Sequence, residues 1–535
     1  MSRCSLRFIY SLHISSAAVF LTLALPGVVR SQDIDDSGEL CKYPRLEPRQ
    51  PFPSLNPERL SVANDQEPNN DIGSAQKIPL GFEQDEDQDV DAEGEISQPF
   101  DIDVYSFDAK VGETLGAAVL AIDNRQLDSL LAVLDADGTV LHENDDHGGA
   151  AGLYPPESPF PAGGLQRDSG LTFAIPKDGT YYLRIKGTGA ATGAYFAQFR
   201  LRQAPGRSLP VGSQQILFLD FDGASGINAA EMFGAGGRAS ADLSPFGNFV
   251  TKWGLNANRR DSLIDKIVAE VQAHFDELTM GTTSAITIQN SKDHPDPFGD
   301  PLVSRVIIGG TIAELGISTI GIAEYVDPAN FSTDDTAVVL LDLLSISDSS
   351  DPGWPNSILS LPRDPSLSAE DAVARVVAGV VTHEAAHFLG CWHTHNLNAT
   401  VSLPDRGGRL PNLAGVGPDG KLGTADDSHL TLGDDIYSIP EGFATASHIQ
   451  NVRALVLAAL SPGTSTQESS DLAQQLAGFR ALQESGLREF RFGPADTREL
   501  LGLARQDDQG QAKEASRIEK AVQAYEEQLE LFNKQ

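Results

Sequence analysis

The sequence is poor in cysteine and methionine, with three of each among 535 residues. So few cysteines do not make a disulfide framework, which excludes the small disulfide-stapled class of secreted proteins. Long apolar runs are also missing, because no stretch beyond the N-terminal segment approaches the about twenty apolar residues of a membrane span. We therefore predict no transmembrane helix in the mature chain.

Basic residues are scarce beside acidic ones, since 39 Lys and Arg stand against 75 Asp and Glu, for a formal charge of −36. This balance argues against nucleic acid and anionic membrane surfaces as partners. A solvated acidic surface is the ordinary explanation, and calcium binding is another. The length of 535 residues allows two or three domains, each with its own core.

Residues 1–31 have the pattern of a secretory signal peptide. Arg3 and Arg7 precede an apolar run over residues 17–25, and small residues follow near Ser31. The run is too short for a comfortable membrane span. We therefore expect an exported, extracellular protein.

Residues 32–64 are rich in Pro, Asp and Arg and lack apolar periodicity, so we interpret them as a leader or pro-segment. No fold is predicted there. Cys41 leaves two interpretations open: a thiolate that caps a metal in a latent form, or a free thiol on a flexible arm.

Short alternating strands separated by Gly- and Asp-rich turns predict an all-β sandwich over residues 65–203. The block is similar to bacterial pre-peptidase C-terminal domains in its Glu67-Pro68-Asn69-Asn70 opening and in its segments 103–107, 144–146 and 179–183. The resemblance implies an accessory domain. We expect it to fold by itself, as a spacer or as an anchoring module. The clearest predicted strands are 103–107, 130–134, 171–175 and 181–185.

Beyond a Pro-flanked linker, residues 210–462 alternate strands with helices and predict an α/β (α+β) domain. Ser368 can cap the main helix, with Asp371 three residues on. Residues 464–535 are rich in Gln, Glu, Arg, Leu and Ala and predict a helical C-terminal extension without an assigned function. The predicted strands are 215–221, 285–289, 304–308, 320–326 and 336–341, and two further predicted helices are 259–278 and 447–460.

The chemistry is carried by residues 383–393, which read H-E-x-x-H-x-x-G-x-x-H. Residues four apart lie on one face of a helix, so His383 and His387 can present two imidazole nitrogens to one ion. Glu384 is rotated by one residue, which lets its carboxylate reach a water at the metal without becoming a ligand. Gly390 allows a left-handed turn that brings His393 to the same ion. Three ligands leave a fourth position for water.

A five-residue H-E-x-x-H match also arises by accident on amphipathic helices with two surface histidines. The longer pattern, with Gly390 and His393 in register, is far rarer by chance and favours zinc. His395 also follows the glycine, but the spacing of the long motif selects His393 as the third ligand.

At these residues the sequence resembles the metzincin clan of zinc endopeptidases, whose long motif this is. The resemblance implies three histidine ligands, a glutamate base, and an upper subdomain whose fourth strand is an antiparallel edge above the zinc. Metzincins place a methionine in a tight turn beneath the metal, whereas Met1, Met232 and Met280 all lie upstream of the motif. We expect the turn at residues 401–408, with Leu403 or Pro404 in the methionine's place.

Two downstream features remain as hypotheses. The Gly- and Asp-rich loop 417–427 contains Asp419, Asp426 and Asp427, whose oxygens suit calcium, but the loop lacks the EF-hand spacing, which favours an acidic turn over a calcium site. Tyr437 is a candidate oxyanion donor on its downstream position alone.

The predicted function is a secreted zinc endopeptidase with Glu384 as general base and a protein or peptide substrate. Two alternatives stay open: a secreted or surface binding protein with a structural or vestigial zinc site, and a zinc hydrolase of non-peptide amides. We expect a peptide to add a strand to the edge at residues 320–326, where small residues let another backbone approach. The sandwich should not be needed for cleavage of a small peptide.

Overall fold

The computed structural model describes residues 41–42, 60–80, 88–122, 127–145, 154–155, 158–160, 168–203, 214–234, 236–282, 284–299, 302–332, 335–345, 358–396, 398, 400–405, 410–438 and 449–460. The predicted signal peptide and the predicted helical extension lie outside these residues.

The described residues form two β-rich units. Their strands, in chain order, are β1 (Cys41–Lys42), β2 (Leu60–Asn64), β3 (Gln76–Lys77), β4 (Gln88–Ile96), β5 (Ile102–Ala109), β6 (Glu113–Ala121), β7 (Ser129–Leu134), β8 (Val140–Asn144), β9 (Ser169–Ala174), β10 (Gly179–Gly187), β11 (Gly193–Gln203), β12 (Gln215–Asp220), β13 (Ala224–Ile227), β14 (Ala241–Leu243), β15 (Ile286–Asn290), β16 (Val303–Ile308), β17 (Gly321–Ala323), β18 (Thr336–Val339), β19 (Asp435–Ile436) and β20 (Ile449–Gln450). Their α-helices are α1 (Ala229–Met232), α2 (Gly247–Val250), α3 (Arg260–Thr279), α4 (Ile312–Leu315), α5 (Asp342–Ser345), α6 (Ala369–Phe388), α7 (Leu410–Leu413) and α8 (Val452–Leu460).

The first unit is the predicted β-sandwich. One sheet has the strand order β3-β5-β10-β7-β8 and the other the order β2-β4-β11-β6-β9. Alternate residues point inward, and Tyr105, Phe107, Tyr181 and Phe199 are buried between the sheets. The sandwich prediction and its four clearest strands are confirmed.

The sandwich begins before its predicted boundary at residue 65. Strand β2 lies in the segment that we interpreted as a leader without a fold, and it pairs in parallel with β4. Strand β4 has acidic residues at alternate positions, two Asp and two Glu, and these residue types are depleted in strands. Its neighbour β11 compensates with arginines: Arg200 Nη2 lies 2.9 Å from Asp91, and Arg202 Nη1 lies 2.7 Å from Asp89.

The second unit is built on a six-stranded sheet with the order β1-β17-β18-β16-β12-β15. Strands β12, β15, β16 and β18 are parallel, and β17 pairs antiparallel with β18. Helices α3 and α6 pack on each other, and both contact this sheet. The predicted strands and both long helices are therefore confirmed, with β17 shorter than the predicted 320–326.

The prediction of an open edge at β17 is wrong for the chain as it stands. Cys41 and Lys42 pair in parallel with Gly321 and Ile322, so part of the predicted leader occupies that edge. The physical reason is that β17 pairs with β18 on one side only, and its other row of backbone groups accepts any extended segment that reaches it.

No helix among the described residues is long and apolar enough to cross a membrane.

Candidate metal centre

Helix α6 carries the first part of the motif, and its start is held as predicted. The Ser368 side chain accepts a hydrogen bond from the Asp371 backbone N–H at 3.1 Å. Arg259 pairs with Glu370, and Lys266 pairs with Asp371. Acidic residues in the first turn also favour the helix dipole. The helix is thus tied to α3 at its N-terminal end, far along the axis from the histidines.

The apolar face of α6 is buried in the domain core. Val373, Val376, Val377 and Val380 are all fully buried, which confirms the predicted core face. This packing fixes the rotation of the helix, and therefore the direction in which His383 points.

The helix ends in a left-handed turn at Gly390, with φ of 89°. The Gly390 N–H donates to the His387 carbonyl at 3.0 Å, and the Cys391 N–H donates to the Ala386 carbonyl at 3.0 Å. A Cβ on Gly390 would lie 2.7 Å from Cα of Pro328. Only glycine suits this position, on both conformation and space, and the turn returns the chain towards the helix.

The structure brings the three predicted ligands together. The ring centroids are 4.9 Å apart for His383 and His387, 5.1 Å for His383 and His393, and 5.0 Å for His387 and His393. One nitrogen of each ring lies within 4.8 Å of the others. All three side chains are buried. Three imidazoles in a near-equilateral triangle form a plausible donor set for one ion.

Backbone carbonyls set the tautomers of two of the rings. Nδ1 of His383 lies 2.6 Å from the Leu403 carbonyl, and Nδ1 of His387 lies 2.7 Å from the Cys391 carbonyl. A carbonyl only accepts, so each Nδ1 carries the hydrogen and each Nε2 carries the lone pair. Burial lowers the pKa of His383 to about 3 and holds the pKa of His387 well below its usual value. Both rings are therefore neutral, the form that binds metals.

A turn at residues 402–405 carries Leu403 against helix α6. Leu403 is buried, and its Cδ2 lies 3.7 Å from where a Cβ on Gly379 of α6 would stand. Its carbonyl is also the partner of His383. Asp405 closes the turn by accepting the Ser402 N–H at 3.0 Å. Leucine and methionine have similar volume, so Leu403 in the place expected for a methionine would keep the packing.

Asp405 also ties this turn to the segment after Gly390. Thr394 Oγ1 donates to Asp405 Oδ1 at 2.8 Å, and the Thr394 N–H donates to the Pro404 carbonyl at 2.8 Å. Burial raises the pKa of Asp405 to about 8, against the opposing effect of its hydrogen bonds. The turn and the His393 segment are thus one connected structure.

Glu384 directly follows His383 on the helix and lies against strand β17. It is completely buried. A Cβ on Gly321 would stand 2.0 Å from Glu384 Oε1, so the carboxylate rests directly on the main chain of the strand. The carboxylate does not belong to the group formed by the three histidines. That Glu384 is a base and not a ligand stays a prediction.

Two other residues considered from the sequence lie elsewhere. His395 donates its backbone N–H to the Ile436 carbonyl at 2.9 Å and is not in the histidine group. The Tyr437 hydroxyl is 2.8 Å from Nδ1 of His142 in the sandwich, which gives no support to an oxyanion role.

The calcium hypothesis for the 417–427 loop gains no support. Asp426 accepts the Asp419 N–H at 2.9 Å, and Asp427 accepts from the Gly423 N–H and Arg375 Nη1, each at 2.7 Å. These carboxylates shape the loop and pair with α6. Among the described residues, the loop is not one of the groups that could hold a metal.

A second group capable of holding a metal was not singled out from sequence. Asp65, Glu67 and Asp103 of the sandwich bring one oxygen each within 4.8 Å of the others. The opening Glu67-Pro68-Asn69-Asn70 is the sequence signal at this place, and it indicates the domain family without indicating a metal site. The backbone partners Leu403 and Cys391 carried no signal at all, because a carbonyl is common to every residue.

Comparison with known proteins identifies the first unit. Residues 101–187 match the family described as Bacterial pre-peptidase C-terminal domain, so the sandwich contains such a domain. A probable subtilase-type serine protease of Deinococcus radiodurans is 30% identical over 128 residues, which is 24% of this chain and 14% of that protein. This chain therefore spans only a small part of that relative.

Two solved structures are similar to parts of the chain. The pre-peptidase C-terminal domain of a Bacillus anthracis collagenase matches 23% of this chain and 93% of its own, at 14% identity and a TM-score of 0.16. Archaemetzincin from Methanopyrus kandleri matches 50% of this chain and 99% of its own, at 12% identity and a TM-score of 0.18. Similarities of this size carry no statement about the activity of this chain.

Proposed function

We propose that this chain is a secreted zinc-dependent endopeptidase. The observation that carries the proposal is the convergence of three buried histidine rings beside a buried glutamate that is not part of their group. His383, His387 and His393 would hold the metal, and Glu384 would be the general base.

The donor set suits zinc. Neutral imidazole is a favoured zinc ligand, and a site with three protein ligands and an open fourth position is the catalytic type. Carbonyl partners on Nδ1 of His383 and His387 are the outer contacts that orient such ligands. Zinc bound there would supply a Lewis acid that polarises the scissile carbonyl and makes a water more acidic.

Glu384 is positioned to move a proton. Its carboxylate lies one residue from His383 on the helix and against the main chain of Gly321, so a water or a peptide near β17 is within its reach. It would take a proton from the attacking water and deliver it to the leaving amine. A purely structural metal site has no use for a buried carboxylate in this place, which favours an enzyme over a binding protein.

The order of the elements supports the same proposal. A strand, a helix, four strands and a second helix precede Gly390, and the fourth of the main strands, β17, is antiparallel to its neighbour. This order resembles the metzincin upper subdomain. The turn with Leu403, whose carbonyl accepts from His383, would take the part of that clan's methionine turn.

Export and substrate follow from sequence features. The signal pattern of residues 1–31 supports secretion, and the charge of −36 disfavours nucleic acid. We propose peptides or proteins as substrates, because three histidines that can hold a metal and a buried carboxylate beside them are the groups that hydrolysis of a peptide amide needs.

The direct test is digestion of casein or gelatin by the purified full-length protein. We expect cleavage, its loss with a zinc chelator, and its return when zinc is added. Metal analysis should find one zinc per chain. A protein that holds zinc but cleaves no peptide would contradict the endopeptidase, and activity that survives complete zinc removal would contradict the metal mechanism.

A further inference from the structure

The sandwich contacts the segment that follows helix α6. His142 on strand β8 is hydrogen-bonded to the Tyr437 hydroxyl at 2.8 Å, with ring centroids 5.3 Å apart. Tyr154, also from the sandwich, meets Trp392 edge-on at 5.5 Å. All four side chains are buried. Two aromatic residues of the sandwich thus touch two aromatic residues of the histidine-bearing domain.

Both contacted residues are tied to His393 through the backbone. Trp392 precedes His393 directly. The Gln450 side chain accepts a hydrogen bond from the Trp392 N–H and donates one to the Trp392 carbonyl, each at 2.7 Å. Next to Tyr437, the Ser438 N–H donates to the His393 carbonyl at 3.0 Å. A displacement of either aromatic residue would therefore shift the backbone that holds His393.

The surroundings of these contacts are apolar and closely packed. Ala174 of the sandwich forms a buried cluster with Ala329, Phe331 and Ala458 of the other domain. The cavity between the two domains has a volume of about 30 Å³ and reaches Gly390. Such a space holds only about one or two waters. In an apolar interface a single polar pair such as His142 and Tyr437 fixes one orientation, because its loss leaves a buried group unsatisfied.

We propose that His142 and Tyr154 of the sandwich are positioning residues for the metal ligand His393, acting through Tyr437 and Trp392. The sandwich domain then helps to hold the metal centre in place and is not only a spacer. This inference rests on the proposed zinc site. It replaces the expectation, made from sequence, that the sandwich is dispensable for cleavage of a small peptide.

The test compares zinc retention in full-length variants. His142→Leu removes the hydrogen bond and keeps similar bulk, and we expect zinc loss to a chelator to become about tenfold faster, the low end for outer contacts of metal ligands. His142→Asn retains a polar group near the position of Nδ1 and should restore most of the retention. Tyr181→Phe is the matched control, because its hydroxyl donates only within the sandwich, to the Lys177 carbonyl.

A double variant separates positioning from general destabilisation. Tyr437→Phe removes the same hydrogen bond from the other side, so its effect on zinc loss should not add to that of His142→Leu. Additive effects, or equal acceleration by Tyr181→Phe, would overturn the proposal, because the sandwich would then act only through overall stability.

Amide hydrogen exchange keeps the inference separate from the zinc proposal. In the metal-free protein, His142→Leu should speed exchange in residues 391–395 while leaving α3 protected. If the wild type bound no zinc, the proposed function would fail, and this exchange result would still decide the positioning role. Unchanged exchange in that segment together with wild-type zinc retention would refute the inference.

Discussion

Each domain contains a group of side chains of metal-binding types, and the two groups differ in burial: all three histidines are buried, whereas in the sandwich Asp103 is buried, Asp65 is half-buried and Glu67 is exposed. In the helix-and-sheet domain, burial lowers the pKa of His383 and His387 and leaves neutral rings with lone pairs. In the sandwich, burial raises the pKa of Asp103 to about 7. Both shifts have one cause, since low-dielectric surroundings disfavour the charged form of any group.

The two groups also differ in where their hydrogen bonds lie. His383 and His387 use Nδ1 for backbone carbonyls, which leaves the Nε2 lone pair of each for a metal. The sandwich carboxylates accept from their own domain: Tyr195 donates to Asp103 at 2.6 Å, and Asn69 donates its side chain to Asp65 at 2.6 Å and its backbone N–H to Glu67 at 3.1 Å. Burying a neutral imidazole costs little free energy, whereas a buried carboxylate needs hydrogen-bond donors or a proton of its own.

The largest effect is expected when one histidine ring is removed from the group formed by His383, His387 and His393. His393→Ala should lose zinc and all metal-dependent activity, because two imidazoles alone hold the ion weakly. His395→Ala should keep both and is the matched control. The measurements are metal analysis and a peptide-cleavage assay on both variants. Zinc retained by His393→Ala and lost by His395→Ala would reverse the ligand assignment.

Removing the Glu384 carboxylate should separate zinc binding from the catalytic rate. Glu384→Ala is expected to keep one zinc per chain and to lose at least about a hundredfold in rate, the low end for a general base. Glu277→Ala changes an exposed carboxylate on α3 and serves as the control. Full activity in Glu384→Ala would show that proton transfer uses another group.

Gly321→Ala should displace the Glu384 carboxylate without removing it, which is a smaller change than Glu384→Ala. The new Cβ would stand 2.0 Å from Oε1 of Glu384, so the carboxylate must move while the histidines stay in place. We expect zinc binding to persist and the rate to fall by roughly tenfold to a hundredfold, since a misplacement of about 1 Å costs up to this much.

Gly179→Ala is the matched control for that change, because its added Cβ meets nothing within 4 Å. Equal kinetics for the two alanine variants would mean that Glu384 tolerates displacement and is not the base.

The smallest expected effect is on the pH dependence of stability. Asp103 has a folded pKa of about 7, above the unfolded value of about 3.9. The folded state thus binds more protons between these values, so its stability falls as the pH rises from about 4 to about 7. Melting temperatures from pH 5 to pH 8 should decline more for the wild type than for Asp103→Asn. Parallel curves would show that Asp103 is already ionised at pH 5.

Features carried by contiguous sequence were predictable. Helix α6, its cap at Ser368 and the turn at Gly390 all follow from local patterns, and so does the approach of His383 to His387. The three-residue step from Gly390 to His393 is also a local property. Each of these needs only helix geometry and the conformational freedom of glycine.

Features that depend on distant contacts were not predictable. Strand β4 looks like an acidic loop until Arg200 and Arg202 are placed beside it. The covered edge of β17 depends on a segment about 280 residues earlier in the chain, pairing through Cys41 and Lys42. The contact between His142 and Tyr437 joins residues 295 positions apart, and neither residue type signals it.

The pairing of β1 with β17 decides what a peptide would have to displace at this edge. A peptide that adds to β17 needs the backbone groups of Gly321 and Ile322, which Cys41 and Lys42 already use. Departure of that segment therefore precedes productive binding at this edge. With the intact chain, the apparent affinity for such a peptide would be the intrinsic affinity multiplied by the fraction of molecules whose β17 edge is vacant.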